Sequence, residues 1–127
     1  MGGRTIPFSL SESQIQIQVA DWLRLHEASG GFIFFAVPNE GMGKAKTGAG
    51  LGRMARLKRM GLRPGVADIV IIKDGRAYFL EMKTVTGELS DNQAIFGLDC
   101  GKIHAQYQVA HSFEEAQKIV KKWGIIA

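Results

Sequence analysis

The sequence predicts a mixed α/β fold, with one small sheet flanked by helices. Three observations predict it. Capping signals followed by helically spaced apolar residues occur at three places, short aromatic or β-branched runs lie between them, and an Asp-Gly pair joins two of those runs. At 127 residues, 46% hydrophobic and 22% charged, the chain is sized for a single domain over 1–127, with a core at about 11–123.

Taken in order, Ser9-Leu10-Ser11-Glu12 has the Ser-x-x-Glu spacing of a capping box. Ile15, Val19, Trp22 and Leu23 then mark one face of a helix running to about Glu27, broken by Ser29-Gly30-Gly31. Residues 32–37, which Pro38 ends, read as a buried strand with Phe32, Phe34 and Phe35 in the sheet core. A glycine-rich loop leads to a basic helix over 51–60, stopped by Gly61. Runs at 67–73 and 77–83 form a hairpin around Asp74-Gly75, because both central positions of the favoured tight turn need φ > 0. Ser90 and Gln93 open a helix of about a dozen residues, 105–110 is the last strand, and Ser112 with Glu115 caps a helix through Trp123.

Several function classes drop out. No apolar run approaches the ~18 residues that span a bilayer, and Met1-Gly2-Gly3-Arg4-Thr5 lacks a signal-peptide stretch, so a cytoplasmic, non-secreted protein with no membrane partner is expected. Cys100 is the one cysteine, which excludes an internal disulfide and a cysteine zinc cluster. His26, His104 and His111 have no metal-ligand spacing, and Gly43-Lys44 is not set in a Walker A loop, so no nucleotide cofactor is expected.

The charge is uneven. Residues 41–67 hold Lys44, Lys46, Arg53, Arg56, Lys58, Arg59 and Arg63 and no Asp or Glu. Glycines interrupt this cationic stretch, so backbone N–H groups and long cations can both approach phosphates, as in a nucleic-acid contact. A solvated loop and helix face is the plainer alternative.

The hairpin carries the chemistry. A two-residue turn at Asp74-Gly75 continues down the strands to set Asp68 opposite Glu81, and the strand period of two puts Glu81 and Lys83 on one face. Like charges directly opposite destabilise a sheet, and a hard divalent cation offsets that repulsion. Asp68, Glu81 and the Met82 carbonyl are the expected ligands. Lys83 would hold or activate a water, or neutralise charge on phosphorus. A plain ion pair among Asp68, Glu81 and Lys83 on a solvated face competes with this reading.

Gly65-Val66-Ala67-Asp68 followed by Glu81-Met82-Lys83 resembles the PD-(D/E)xK nuclease signature. More narrowly, the chain resembles the VRR-NUC (virus-type replication–repair nuclease) group. Beyond those motifs the resemblance rests on Val37-Pro38-Asn39-Glu40-Gly41, Leu89-Ser90-x-x-Gln93 and the closing Ser112-x-Glu114-Glu115 helix. The family proline before the catalytic Asp is replaced by Val66-Ala67.

The resemblance implies a restriction-endonuclease-like αβββαβ core and a Mg²⁺- or Mn²⁺-dependent DNA endonuclease of a stand-alone phage or bacterial type. It implies action on branched DNA as a homodimeric Holliday (four-way) junction resolvase. The alternatives are a monomeric flap or nicking nuclease and a catalytically silent DNA-binding module of the same fold. Asp68, Glu81 and Lys83 would be the catalytic set, with Gln93 in support. An acidic residue of the first helix would join the metal shell: Glu12 matches, Gln16 is the alternative, and Glu12 is also the capping-box acid. The cations from Lys44 to Arg63, with Asn39, would contact DNA, and the apolar stretch at 95–103 would form the dimer interface.

Overall fold

The computed structural model describes residues 10–38 and 48–127, so Asn39, Lys44 and Lys46 lie outside the described residues. In chain order come α1 (Glu12–Gly30), β1 (Phe32–Ala36), α2 (Gly48–Arg59), β2 (Ile69–Lys73), β3 (Arg76–Met82), α3 (Asp91–Lys102), β4 (Gln106–Ala110) and α4 (Phe113–Lys122). The strands form one mixed sheet in the order β1-β2-β3-β4, antiparallel throughout except for the parallel β3–β4 pair. The expected fold class is therefore the one observed, with helices on both sides of a small sheet.

Period-two alternation divides the side chains between two cores. On one face Ile69, Ile71, Leu80 and Met82 pack against Ile15, Val19 and Leu23 of α1 and Ala116 and Val120 of α4. On the other face α3 lays Phe96 and Cys100 over Ala67, Phe79 and Tyr107. Phe96 meets Phe79 and Tyr107 edge-on, at 5.1 and 5.8 Å between ring centres. The C-terminal turn is tied down by Lys73, whose Nζ donates to the carbonyls of Gly124 and Ile125 at 3.1 and 3.2 Å.

The structure corrects three local expectations. The cap of α1 is Ser11 with Gln14, not Ser9 with Glu12: Ser11 Oγ accepts from Gln14 N–H and Gln14 Oε1 accepts from Ser11 N–H. Glu12 is left free of the capping box. β1 is an edge strand, not a buried one, so Ile33 and Phe35 project into solvent while Phe32 enters the core. Its Phe34 N–H is satisfied by Glu27 Oε2 at 3.1 Å, which closes part of an otherwise open edge. At α4 only half of the capping box forms: Ser112 accepts from Glu115 N–H, but the Glu115 carboxylate lies 3.2 Å from His111 Nδ1.

Two glycines show how backbone shape positions the hairpin and α3. Asp74 and Gly75 both have φ > 0 (52° and 75°), the primed turn that the Asp-Gly pair predicts. Gly65 has φ 85°, and a Cβ there would stand 2.3 Å from the Asn92 carbonyl oxygen and 2.7 Å from the Gln93 nitrogen. The loop entering β2 thus lies directly on the start of α3. Gly65→Ala combines left-handed strain with a backbone collision and should cost about 2 kcal/mol or more of stability. Gly31→Ala, with φ 69° and open space around it, should cost only about 1 kcal/mol of strain. Denaturant unfolding of the two variants checks the difference.

Candidate active site

Asp68 sits one residue before β2, and its side chain continues the ladder that the main chain leaves unfinished. Its Oδ2 accepts the Met82 N–H at 2.8 Å, while its carbonyl accepts the Val37 N–H at 2.8 Å. The hairpin register pairs Ile69 with Leu80, so the next position down the strands faces Asp68 toward Glu81, as the turn requires. Glu81 shares the Phe79 face of β3, opposite to the Leu80 and Met82 core, and is 1% exposed. Lys83, two residues on, is 9% exposed and is held through its N–H to the Ala110 carbonyl at 2.9 Å.

Gln93 joins the group from α3. Its side chain does two tasks at once: Oε1 accepts the Ser90 N–H at 2.8 Å in the capping box, and Nε2 donates to Glu81 Oε2 at 3.2 Å. Capping and site support are here the same side chain in one orientation. Asp68, Glu81 and Gln93 line a cleft of about 880 Å³ together with Glu12 and Gln16 of α1.

The electrostatics are set by burial. It pushes the Glu81 carboxyl up to about 9, and the adjoining Asp68 and the more distant Glu12 push the same way while Lys83 opposes them. Oε1 of Glu81 has no hydrogen-bond partner among the described residues. Oxygen donors on Asp68 and Glu81, one of them buried and unsatisfied, fit a hard divalent cation, which binds few protein carboxylates and keeps its other positions for water and phosphate. Among the described residues no three His, Cys, Asp or Glu side chains converge to hold a metal. Glu12 lines the cleft without closing a three-carboxylate cluster.

The expected phosphate contacts divide. Arg53, Arg56, Lys58 and Arg59 are all exposed on α2, and from residue 49 to 59 of that helix none is buried. Arg63 is instead engaged within the chain, ion-paired to Asp99 and stacked 5.5 Å from the centre of the Phe96 ring. Sequence reading missed Tyr107. Its hydroxyl is buried without a hydrogen-bond partner among the described residues, and burial, followed by the charge of Glu81, raises its pKa. The odd-numbered alternation of β4 was the available signal.

No protein-family model matches the sequence, and no curated protein is similar to it. The structure does have relatives. A protein described as "VRR_NUC domain protein" superposes with a TM-score of 0.68 at 17% identity, over 91% of this chain and 89% of that one. The fold is that of a VRR_NUC domain. A second solved structure, "VRR_NUC domain", gives a TM-score of 0.59 at 18% identity, over 90% of this chain and 99% of the other. The VRR_NUC fold therefore extends across nearly all of the chain. Among the described residues, no helix is long and apolar enough to cross a membrane.

The raised Glu81 pKa fixes the sign of a pH effect. Below about 4.5 the carboxyl is neutral in both the folded and unfolded chains, and folding keeps its full stability. Between there and about 9 only the unfolded chain ionises, so stability falls as pH rises. In chelator, Glu81→Gln should therefore unfold at a higher temperature than wild type at pH 8, with the gap closing toward pH 4.5. Thermal unfolding across that range checks it.

Proposed function

We propose that this protein is a divalent-metal-dependent DNA endonuclease that selects branched structure, acting as a homodimer on four-way junctions. The observation that carries the reading is the convergence of Asp68, Glu81 and Gln93 on one cleft, with Lys83 two residues beyond Glu81, within a VRR_NUC fold. A buried carboxyl facing a second carboxylate is costly to keep. A phosphodiesterase site gives it a use.

Asp68 and Glu81, with the Met82 carbonyl, would hold Mg²⁺ or Mn²⁺, which when bound lowers the pKa of water and neutralises charge on phosphate. Met82 N–H fixes Asp68 through Oδ2, and Gln93 Nε2 fixes Glu81 through Oε2. Both carboxylates are thereby oriented before substrate arrives. Lys83, on the same strand face as Glu81, holds the attacking water or meets the charge gathering on the non-bridging phosphate oxygens. The water oxygen bonds to phosphorus as the bond to the leaving sugar oxygen breaks, giving one phosphate end and one hydroxyl end. The exposed cations of α2 bear on backbone phosphates, which suits recognition of shape over sequence.

Two symmetric cuts need two sites, and one 127-residue chain supplies one, so a two-fold dimer is the economical arrangement. Ile95, Leu98 and Ile103 on and beside α3 are exposed, Leu98 at 68%, which supports an interface there.

Cleavage of a labelled four-way junction, with linear duplex and flap controls, tests the proposal in Mg²⁺, Mn²⁺ and chelator. Paired cuts are expected from wild type with metal. Asp68→Ala and Lys83→Ala should each lower the rate at least about 100-fold while leaving binding near wild type. A folded Asp68→Ala protein that still cuts would refute the site. Leu98→Glu should shift the sedimenting species to monomer and replace paired cuts by single nicks. A monomeric wild type at micromolar concentration would instead favour the flap or nicking nuclease.

A further inference from the structure

A second concave region, of about 840 Å³, lies away from the cleft. It is bounded by β3 and β4 on one side and the end of α4 on the other. It begins at Arg76, five residues from Glu81 and so roughly 17 Å away along the strand. Arg76 and Tyr78 also have the parity of Leu80 and Met82, which places them on the opposite face of the sheet from Glu81. A duplex seated in the carboxylate cleft would not cover this groove.

Its chemistry is consistent across its lining. Tyr78 and Trp123 are half-buried, with ring centres 5.3 Å apart and planes tilted by 44°, and they form an aromatic floor. Arg76, Lys122 and His104 are exposed around that floor, and among the described residues no carboxylate lines the groove. His104 adopts φ 61°, unusual for a side-chain-bearing residue, in the turn that leads from α3 to β4. Gln106 and Gln108 lie on one face of β4 and present amides able to donate and accept.

Aromatic faces beside spaced cations are the means by which proteins bind unpaired nucleotides: bases stack on the rings while cations follow the phosphates. We infer that this groove is a second nucleic-acid site, which takes a single strand through base stacking on Tyr78 and Trp123 and phosphate contacts to Arg76, Lys122 and His104. The inference rests on the nuclease reading only for the class of ligand. It gives the protein a hold on unpaired nucleotides on the face of the sheet opposite Glu81.

The test is binding of a dye-labelled oligothymidylate about ten nucleotides long, measured in chelator so that cleavage plays no part. Arg76→Glu combined with Lys122→Glu should weaken binding about 10-fold or more and flatten the dependence on log salt by about 1 to 2. Lys118→Glu, an exposed reversal on α4 outside the groove, should have a much smaller effect. In a Trp22→Phe protein, where Trp123 is the remaining tryptophan, emission should be quenched as the strand binds. Equal losses from the groove and Lys118 reversals, or Trp123 emission that does not respond, would overturn the inference. Displacement of the strand by equimolar thymidine monophosphate would also overturn it, because the occupant would then be a single nucleotide. A protein that never cleaves but passes these tests loses the nuclease reading and keeps this site; one that cleaves and fails them loses only the groove.

Discussion

Glu81 is nearly inaccessible to solvent and faces a second carboxylate across a β-ladder, and much of the surrounding structure is arranged around that unfavourable contact. Coulomb repulsion inside a protein is far less screened than in water, so neither group can be left loose. Asp68 is held by the Met82 amide and Glu81 by the Gln93 amide. Gln93 in turn stands where it does because Gly65, with no side chain, lets the loop touch the first turn of α3. Removing any of these supports would leave a buried carboxyl with fewer partners, and burial with the adjoining Asp68 pushes the Glu81 pKa up, which disfavours the doubly charged pair.

The two sheet faces divide the remaining work. The α1–α4 face is aliphatic and supplies most of the buried apolar surface, which is the main driving force for folding. The α3 face is smaller and mixes aromatic rings with Glu81, Lys83 and the orphaned Tyr107 hydroxyl.

What the sequence made legible was what local rules decide. The Asp-Gly turn permits one register, and that register alone brings Asp68 to Glu81. The Ser90–Gln93 spacing likewise located the start of α3, and with it the amide that reaches Glu81. Less legible was whatever depends on the choice among satisfied local rules or on distant partners. Ser9 and Ser11 both have a capping partner three residues on, and the spacing does not choose between them. The exposure of Ile33 and Phe35 follows from the place of β1 at the sheet edge, which no periodicity encodes. Arg63 looked free in a run of cations, but it meets Asp99 across 36 positions of chain. The contact of Gly65 with Asn92 is of the same kind.

The turn at Asp74-Gly75 lies at the far end of the hairpin from the carboxylates, on a surface tip where chains usually accept extra residues without harm. Here the tip is geared to the cleft. Adding or deleting one residue would slide β3 against β2 and turn every side chain of β3 to the other face. Glu81 would rotate into the aliphatic layer beneath α1, and Leu80 would take its place opposite Asp68. Length variation in this protein is therefore restricted at a solvent-exposed bend remote from the two carboxylates, and a lineage could change the composition of that bend far more freely than its length.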